Sequence, residues 1–171
     1  MNDYQSERTF FSQSLKKEVE IVQQVANDAF CNSKIIAKQR IFEGKKIEVL
    51  YNYAPIGKLQ FLVVSKEHRT NFSDLTSEEY VEASKIIQTL CAHYQKKGQN
   101  IAYIFHKSGK RAGQSVPHWH AHLIFSSSKI QELFGWIFTL KSMFIGITPL
   151  SDEELSKRVK ELKTELVPLL T

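Results

Sequence analysis

The chain has 171 residues, 42% hydrophobic and 24% charged, with only 7 Gly and 4 Pro. That composition is ordinary for a globular protein, and the length suits one domain with a full hydrophobic core. A net charge of +5 favours anionic ligands such as phosphates. Its basic residues, however, come in separated pairs (Lys16-Lys17, Lys45-Lys46, Lys96-Lys97), the pattern of a solvated surface rather than of a nucleic-acid track. Cys31 and Cys91 stand far apart with no Cys-x-x-Cys pair, which argues against a structural zinc site or a disulfide framework and suits a reducing compartment.

Residues Met1 to Glu20 are polar and show no secretory signal. Leu15, Val19, Val22, Ala26 and Ala29 fall at helical spacing and predict an amphipathic N-terminal helix. Two short β-rich runs follow, 35–42 and 47–53, around a hairpin turn at Glu43-Gly44-Lys45-Lys46, and Leu59 to Ser65 predicts a third strand. Thr76 and Glu79 have capping-box spacing ahead of an apolar face of Tyr80, Ala83, Ile87, Leu90 and Tyr94, with Gly98 as the stop. Ile101 to His106 and Pro117 to Phe125 predict two more strands, joined by a loop rich in Gly, Lys and Ser. The stretch 130–144 reads as a buried helix or strand. Its aromatics Phe134, Trp136, Phe138 and Phe144 suit a core or a dimer contact, and Lys141 with the short length argues against a membrane span. Ser151 and Glu154 open a last helix with Leu155, Val159, Leu162 and Leu166 on one side. Strands, a helix, then more strands predict an α+β fold with an antiparallel sheet, in a cytoplasmic protein.

The chemistry concentrates in His118-Trp119-His120-Ala121-His122. On an extended strand the three imidazoles share one face, and Trp119, Ala121 and Leu123 share the other. Metal chelation is one reading of this stripe, but Gly98 to Ser128 holds no Asp or Glu and does hold Lys107, Lys110 and Arg111. Cations repel Zn²⁺ and attract phosphate. The favoured reading is nucleophilic catalysis, in which a neutral imidazole has one nitrogen held as donor and the other free to attack. The preceding loop, Ser108-Gly109-Lys110-Arg111-Ala112-Gly113-Gln114-Ser115, offers backbone N–H groups, a hydroxyl and an amide to a phosphate. His68, His93, Lys66 and Arg69 read as surface groups.

The run Gly113-Gln114-Ser115-Val116-Pro117-His118-Trp119-His120-Ala121-His122-Leu123-Ile124 resembles the signature of the histidine-triad (HIT) hydrolase family. Val49-Leu50-Tyr51-Asn52-Tyr53-Ala54-Pro55 and Phe61-Leu62-Val63-Val64-Ser65-Lys66-Glu67-His68 resemble that family's ribose-binding strand, proline turn and next strand. The resemblance implies a single HIT-like domain over 1–171, its core at about 33–126, with an antiparallel sheet, flanking helices and extra helices at both ends. It implies His120 as the nucleophile that forms a nucleotidyl-imidazole, the His118 carbonyl as the group orienting it, and His122 and Ser115 at the phosphate. Asn52 would bind the ribose, and Lys107, Gln114 and Gly113 would line the phosphate and leaving group.

Gln60 departs from the family's usual histidine, and Lys107 from its usual Asn or Gln. Relatives that transfer nucleotidyl groups typically have Gln in place of the third histidine, so His122 favours hydrolysis. The implied substrate is a purine nucleotide or nucleotide conjugate, cleaved without metal or other cofactor by a homodimer whose sheets join across the central strands, with no nucleic acid or membrane partner. The alternatives are a nucleotidyltransferase or phosphorylase, or a nucleotide-binding adaptor without turnover.

Overall fold

The computed structural model describes residues 28–56, 58–127 and 149–171. The side-chain oxygen of Asn32 accepts the amide hydrogens of Lys34 and Ile35, and Ser33–Gln39 coils into α1. The strand predicted over 35–42 is therefore confined to Arg40–Glu43, β1. A cap that satisfies free helical N–H groups outweighs the β preference of Ile35 and Ile36. The chain turns at Gly44 into β2, Ile47–Tyr51. The Glu82 carboxylate accepts from the Lys46 and Ile47 amides and occupies the space a side chain at position 44 would need, so the turn requires glycine there.

Strand β3 (Leu59–Ser65), helix α2 (Ser77–Lys96), strands β4 (Ile101–His106) and β5 (His120–Ser126), and helix α3 (Asp152–Leu170) complete the described elements. All pairings are antiparallel and the sheet order is β1-β2-β3-β5-β4. Strand alternation sorts side chains onto two faces. Val49, Tyr51, Phe61, Val63, Ala121, Leu123 and Phe125 enter the main core. There they meet Ala83, Ile86, Leu90 and Tyr94 of α2 and Leu155, Val159, Leu162 and Leu166 of α3. Leu50, Leu62 and Val64 form a smaller cluster with Ile36 and Phe30, on the face that also carries Gln60, His120 and His122.

Helix α2 starts with the predicted capping box: the Thr76 hydroxyl accepts from Glu79 N–H, and the Glu79 carboxylate accepts from Thr76 N–H. Its inward face differs from the one predicted. Tyr80 is 51% exposed and Ile86 is buried, while the carboxylate of Glu79, 1% exposed, turns inward to accept from Arg69 Nε. Arg69 is thus the partner of a buried charge and not a solvated edge group. Lys66, likewise expected to be solvated, reaches the Glu43 carboxylate at 2.8 Å. Gly98 takes a left-handed φ of 81° just past the end of α2, as its role as stop requires. His93, expected at the surface, bonds Glu165 of α3 at 2.6 Å and so joins the two long helices.

Glu79→Ala is expected to lower stability by about 3 kcal/mol at neutral pH, because it strands Arg69 and uncaps α2; the urea midpoint reads this. Burial opposes ionisation of Glu79, but hydrogen bonds from Arg69 and Thr76 hold its carboxyl below the usual glutamate value of 4.5. Its stabilisation is therefore present above that value and is lost as pH falls through the lowered one. The variant should be correspondingly less sensitive to acid.

The N-terminal helix predicted through Leu15, Val19, Val22 and Ala26, and the stretch with Phe134, Trp136, Phe138 and Phe144, lie outside the described residues, while Ala29, the last residue of that predicted helix, lies in a turn ahead of α1. No described helix is long and apolar enough to cross a membrane.

Candidate active site

The predicted strand over 117–125 begins only at His120, and this separates the three histidines. His120 and His122 project from β5 on the same face, with rings 5.0 Å apart. His118 precedes the strand, is fully buried and turns into a pocket of its own. Its Nε2 donates to the Ser65 carbonyl at 2.7 Å, and its Nδ1 meets the Asp28 carboxylate at 2.6 Å. This buried ring fixes the backbone at position 118. The carbonyl there accepts from His120 Nδ1 at 2.7 Å, which leaves Nε2 of His120 with the lone pair. Phe30 packs edge-on against both rings, with centroids 5.8 Å from His118 and 5.1 Å from His120.

Burial lowers the pKa of His120, and the nearby charges of His118 and Lys107 lower it further, against the opposing pull of the His118 carbonyl and Asp28. His122 is pushed down to about 3, mostly by burial, with His120 and Lys107 adding repulsion. Both rings are therefore neutral near pH 7. Of the three predicted cations, Lys107 is the one whose charge acts on both rings. Burial also holds its ammonium below the usual lysine range.

The loop before β5 needs its glycines for backbone shape. Gly109 has φ 88° and ψ 149°, and Gly113 is left-handed at φ 79°. A side chain at 113 would stand 3.6 Å from Lys107 Nζ, so the lysine lies across that loop. Gln114 is tied at both ends: Oε1 accepts from Gly109 N–H at 2.7 Å, and Nε2 donates to the Thr70 carbonyl at 2.9 Å. Ser115 is exposed beside it. Asn52 is 9% exposed at the end of β2, with Oδ1 accepting from Ala54 N–H; its NH₂ end is what the side chain can offer a ligand. Gln60 reaches His122: Oε1 accepts from Ile56 N–H at 2.6 Å, and Nε2 lies 3.2 Å from His122 Nδ1.

Sequence reasoning missed a second constellation. Asp28 Oδ2, Cys31 Sγ, His68 Nδ1 and His118 Nδ1 lie within 4.8 Å of one another. Sγ is 3.6 Å from the His68 nitrogen, 3.7 Å from that of His118 and 3.3 Å from the carboxylate oxygen, and Oδ2 is 2.9 Å from His68 Nδ1. A tetrahedral zinc with bonds of roughly 2.0–2.3 Å needs ligand separations of about 3.3–3.8 Å; the three from Cys31 Sγ lie in that range, while Asp28 Oδ2 stands at hydrogen-bond distance, 2.6 and 2.9 Å, from the nitrogens of His118 and His68. The N–H that His118 gives to Ser65 is the outer bond that orients a metal-binding imidazole. In type, one carboxylate, one thiol and two imidazoles, the donor set is one that suits a zinc-like ion. His68 belongs to it and is not the surface group expected. Two arguments hid it: Asp28 stands where a Cys-x-x-Cys search looks for cysteine, and the carboxylate missing from Gly98 to Ser128 arrives from far away in the chain. The useful signal was the i, i+3 donor pair Asp28-x-x-Cys31.

The antiparallel sheet thus presents a buried imidazole with a free nitrogen beside a second neutral imidazole and a lysine, a set of groups suited to an anionic ligand. The HIT domain family matches residues 33–129, and the chain belongs to that family. It is 30% identical over 106 residues to the protein hit of Bacillus subtilis, across 57% of this chain and 70% of that one. It is 32% identical over 95 residues to the bis(5'-adenosyl)-triphosphatase of Saccharomyces cerevisiae, across 53% of this chain but only 45% of that protein. The fold is that of Plasmodium falciparum diadenosine triphosphate hydrolase (TM-score 0.60, 18% identity, covering 78% of this chain and 80% of that one). A zinc-bound histidine triad family protein from Mycobacterium smegmatis also shares it (TM-score 0.52, 18% identity, 75% and 86% covered). The family includes nucleotide hydrolases, of which the yeast relative is one.

Proposed function

We propose that this protein hydrolyses a nucleotide at its α-phosphorus through a covalent intermediate on His120. The carrying observation is the bond from His120 Nδ1–H to the His118 carbonyl, because it leaves the lone pair on Nε2 at neutral pH. In the first step Nε2 attacks phosphorus; the N–P bond forms and the bond to the leaving group breaks, its electrons departing with the leaving group, which takes up a proton. In the second step a water oxygen bonds phosphorus and releases one proton to solvent, the N–P bond breaks with its electron pair returning to Nε2, and nucleoside monophosphate and neutral His120 are released. Lys107, His122 and the Ser115 hydroxyl would meet the charge on the phosphoryl oxygens; the amides of Gly113 and Gln114 are engaged within the loop, donating to the Lys110 and Gly109 carbonyls. The Asn52 NH₂ would hold the ribose hydroxyls.

The substrate class is a purine nucleoside monophosphate linked to a leaving group: a phosphoramidate, a dinucleoside polyphosphate or an adenylylated compound. The likeness to the yeast triphosphatase and to the Plasmodium hydrolase supports the dinucleotide form. The assembly we propose is a homodimer through β4, which ends the sheet order with no described strand on its outer edge and with Ile104 half-exposed.

A fluorogenic adenosine phosphoramidate tests this reading. AMP release is expected, with a protein mass increase of one adenylyl group that maps to His120 under rapid quench. AMP binding without turnover of this substrate or of diadenosine triphosphate would make the protein an adaptor. Acceleration by added phosphate or a sugar phosphate would make it a transferase.

The donor set at Asp28, Cys31, His68 and His118 supports a second element of the reading, a zinc ion held by these four residues. The zinc-bound Mycobacterium smegmatis protein that shares the fold is in keeping with it. When bound, such an ion would act as a structural clamp on His118. His118 itself, through its carbonyl, does the orienting of His120.

A further inference from the structure

Two imidazoles that serve one phosphoryl group in different roles must carry their protons on opposite nitrogens. The proton of His120 is placed by a carbonyl. That of His122 is placed by Gln60, a residue with no role in the family resemblance except as a departure from histidine. Gln60 is 1% exposed and pairs in register with Ile124, two residues along β5 from His122. Its amide has one orientation open to it. The Ile56 N–H, 2.6 Å from Oε1, can only donate, so the oxygen end is spoken for and the NH₂ end must face His122. An NH₂ also only donates, so Nδ1 of His122 at 3.2 Å must be the bare nitrogen. In a neutral ring the proton then sits on Nε2.

We propose that Gln60 is a positioning residue that holds His122 as the Nε2–H tautomer, so that His122 donates to a phosphoryl oxygen while neighbouring His120 presents a lone pair. The same amide ties this choice to the turn after β2: Ile56 ends the segment that begins with Asn52, whose own N–H donates to the Gln60 carbonyl. Nucleoside turn and phosphate-side histidine are thus held by one side chain. An amide does not titrate, so unlike a histidine at this position it delivers the same donor at every working pH.

The proposal rests on the hydrolase reading for its catalytic meaning, and its test is independent of substrate. In protein labelled with ¹⁵N in the histidine rings, long-range ¹H–¹⁵N correlation at neutral pH should show His122 with an unprotonated-type Nδ1 and a protonated-type Nε2. His120 should show the reverse. Gln60→Met, of similar volume, should bring the two His122 nitrogens toward averaged shifts as the tautomers mix and leave the His120 pattern alone. Its kcat should fall by about 10²-fold, the usual cost of one lost phosphate-side donor, with KM changed far less. Gln60→Asn keeps an amide but is a methylene too short to span Ile56 and His122, and it should repeat the ring result if the methionine variant does not fold. A protonated-type Nδ1 on His122 in the wild type, or a His122 pattern that neither variant changes, would overturn the proposal. Failure to turn over any nucleotide, with the wild-type ring pattern as described, would overturn the hydrolase reading instead.

Discussion

His120→Ala is expected to reduce AMP release from an adenosine phosphoramidate by about 10⁴-fold or more and to leave AMP affinity within a few-fold of wild type. Loss of a nucleophile removes the covalent step itself, and residual rates in such variants come only from binding and charge stabilisation. Binding should survive because most groups assigned to the nucleotide, Asn52, Lys107 and Ser115, stand on other elements than His120, and His122 keeps its own place on β5. Folding should survive as well: His120 gives one hydrogen bond, to a carbonyl that belongs to a backbone held by the buried His118 ring. Steady-state turnover and calorimetric AMP titration on the same preparation separate the two effects. Wild-type-like turnover in the variant would remove His120 from the chemistry.

Asp28→Ala should be the most disruptive single change to the site's framework, lowering stability by about 3–5 kcal/mol. The Asp28 side chain is fully buried. It accepts from the Phe30 amide at 2.8 Å and faces the rings of His68 and His118 and the Cys31 thiol. Burial alone would raise its pKa, but hydrogen bonds from His118, Phe30 and Cys31 together hold it down to about 2, so it is an anion at every ordinary pH. Removing it leaves two imidazoles and a thiol facing each other with no anion between them. Turnover should fall also, since the His118 backbone that orients His120 loses its anchor.

The metal reading adds a sharper expectation. Zinc should raise the wild-type denaturation midpoint, a chelator should lower it, and neither should move that of Asp28→Ala by a comparable amount. A wild-type midpoint indifferent to zinc and chelator would remove the ion while leaving the carboxylate's structural effect to be read directly. A variant within about 1 kcal/mol of wild type would sink the framework role.

The two capping boxes, at Thr76 with Glu79 and at Ser151 with Glu154, were legible because a cap is a contact three residues long and needs no partner from elsewhere. The sheet strands and the inward set Leu155, Val159, Leu162 and Leu166 were legible because periodicity alone orients them. The same holds for His120 and His122, which alternation puts on one face of β5. Local reading failed where a nearby group competed. Asn32 capped a helix into a run of β formers, and Glu79 with Arg69 pulled the inner face of α2 away from Tyr80.

By itself, then, the sequence determined the sheet's alternation, the starts of the two long helices and the presence of a histidine stripe with a phosphate-suited loop before it. Tertiary structure alone decided what each histidine is. Asp28 and Ser65 take His118 out of the stripe and make it a scaffold, while Gln60, crossing from β3, dictates which nitrogen of His122 is bare. The physical reason is that periodicity fixes the direction of a side chain, whereas protonation and ligation depend on which atom of a distant segment lies within about 3 Å of it.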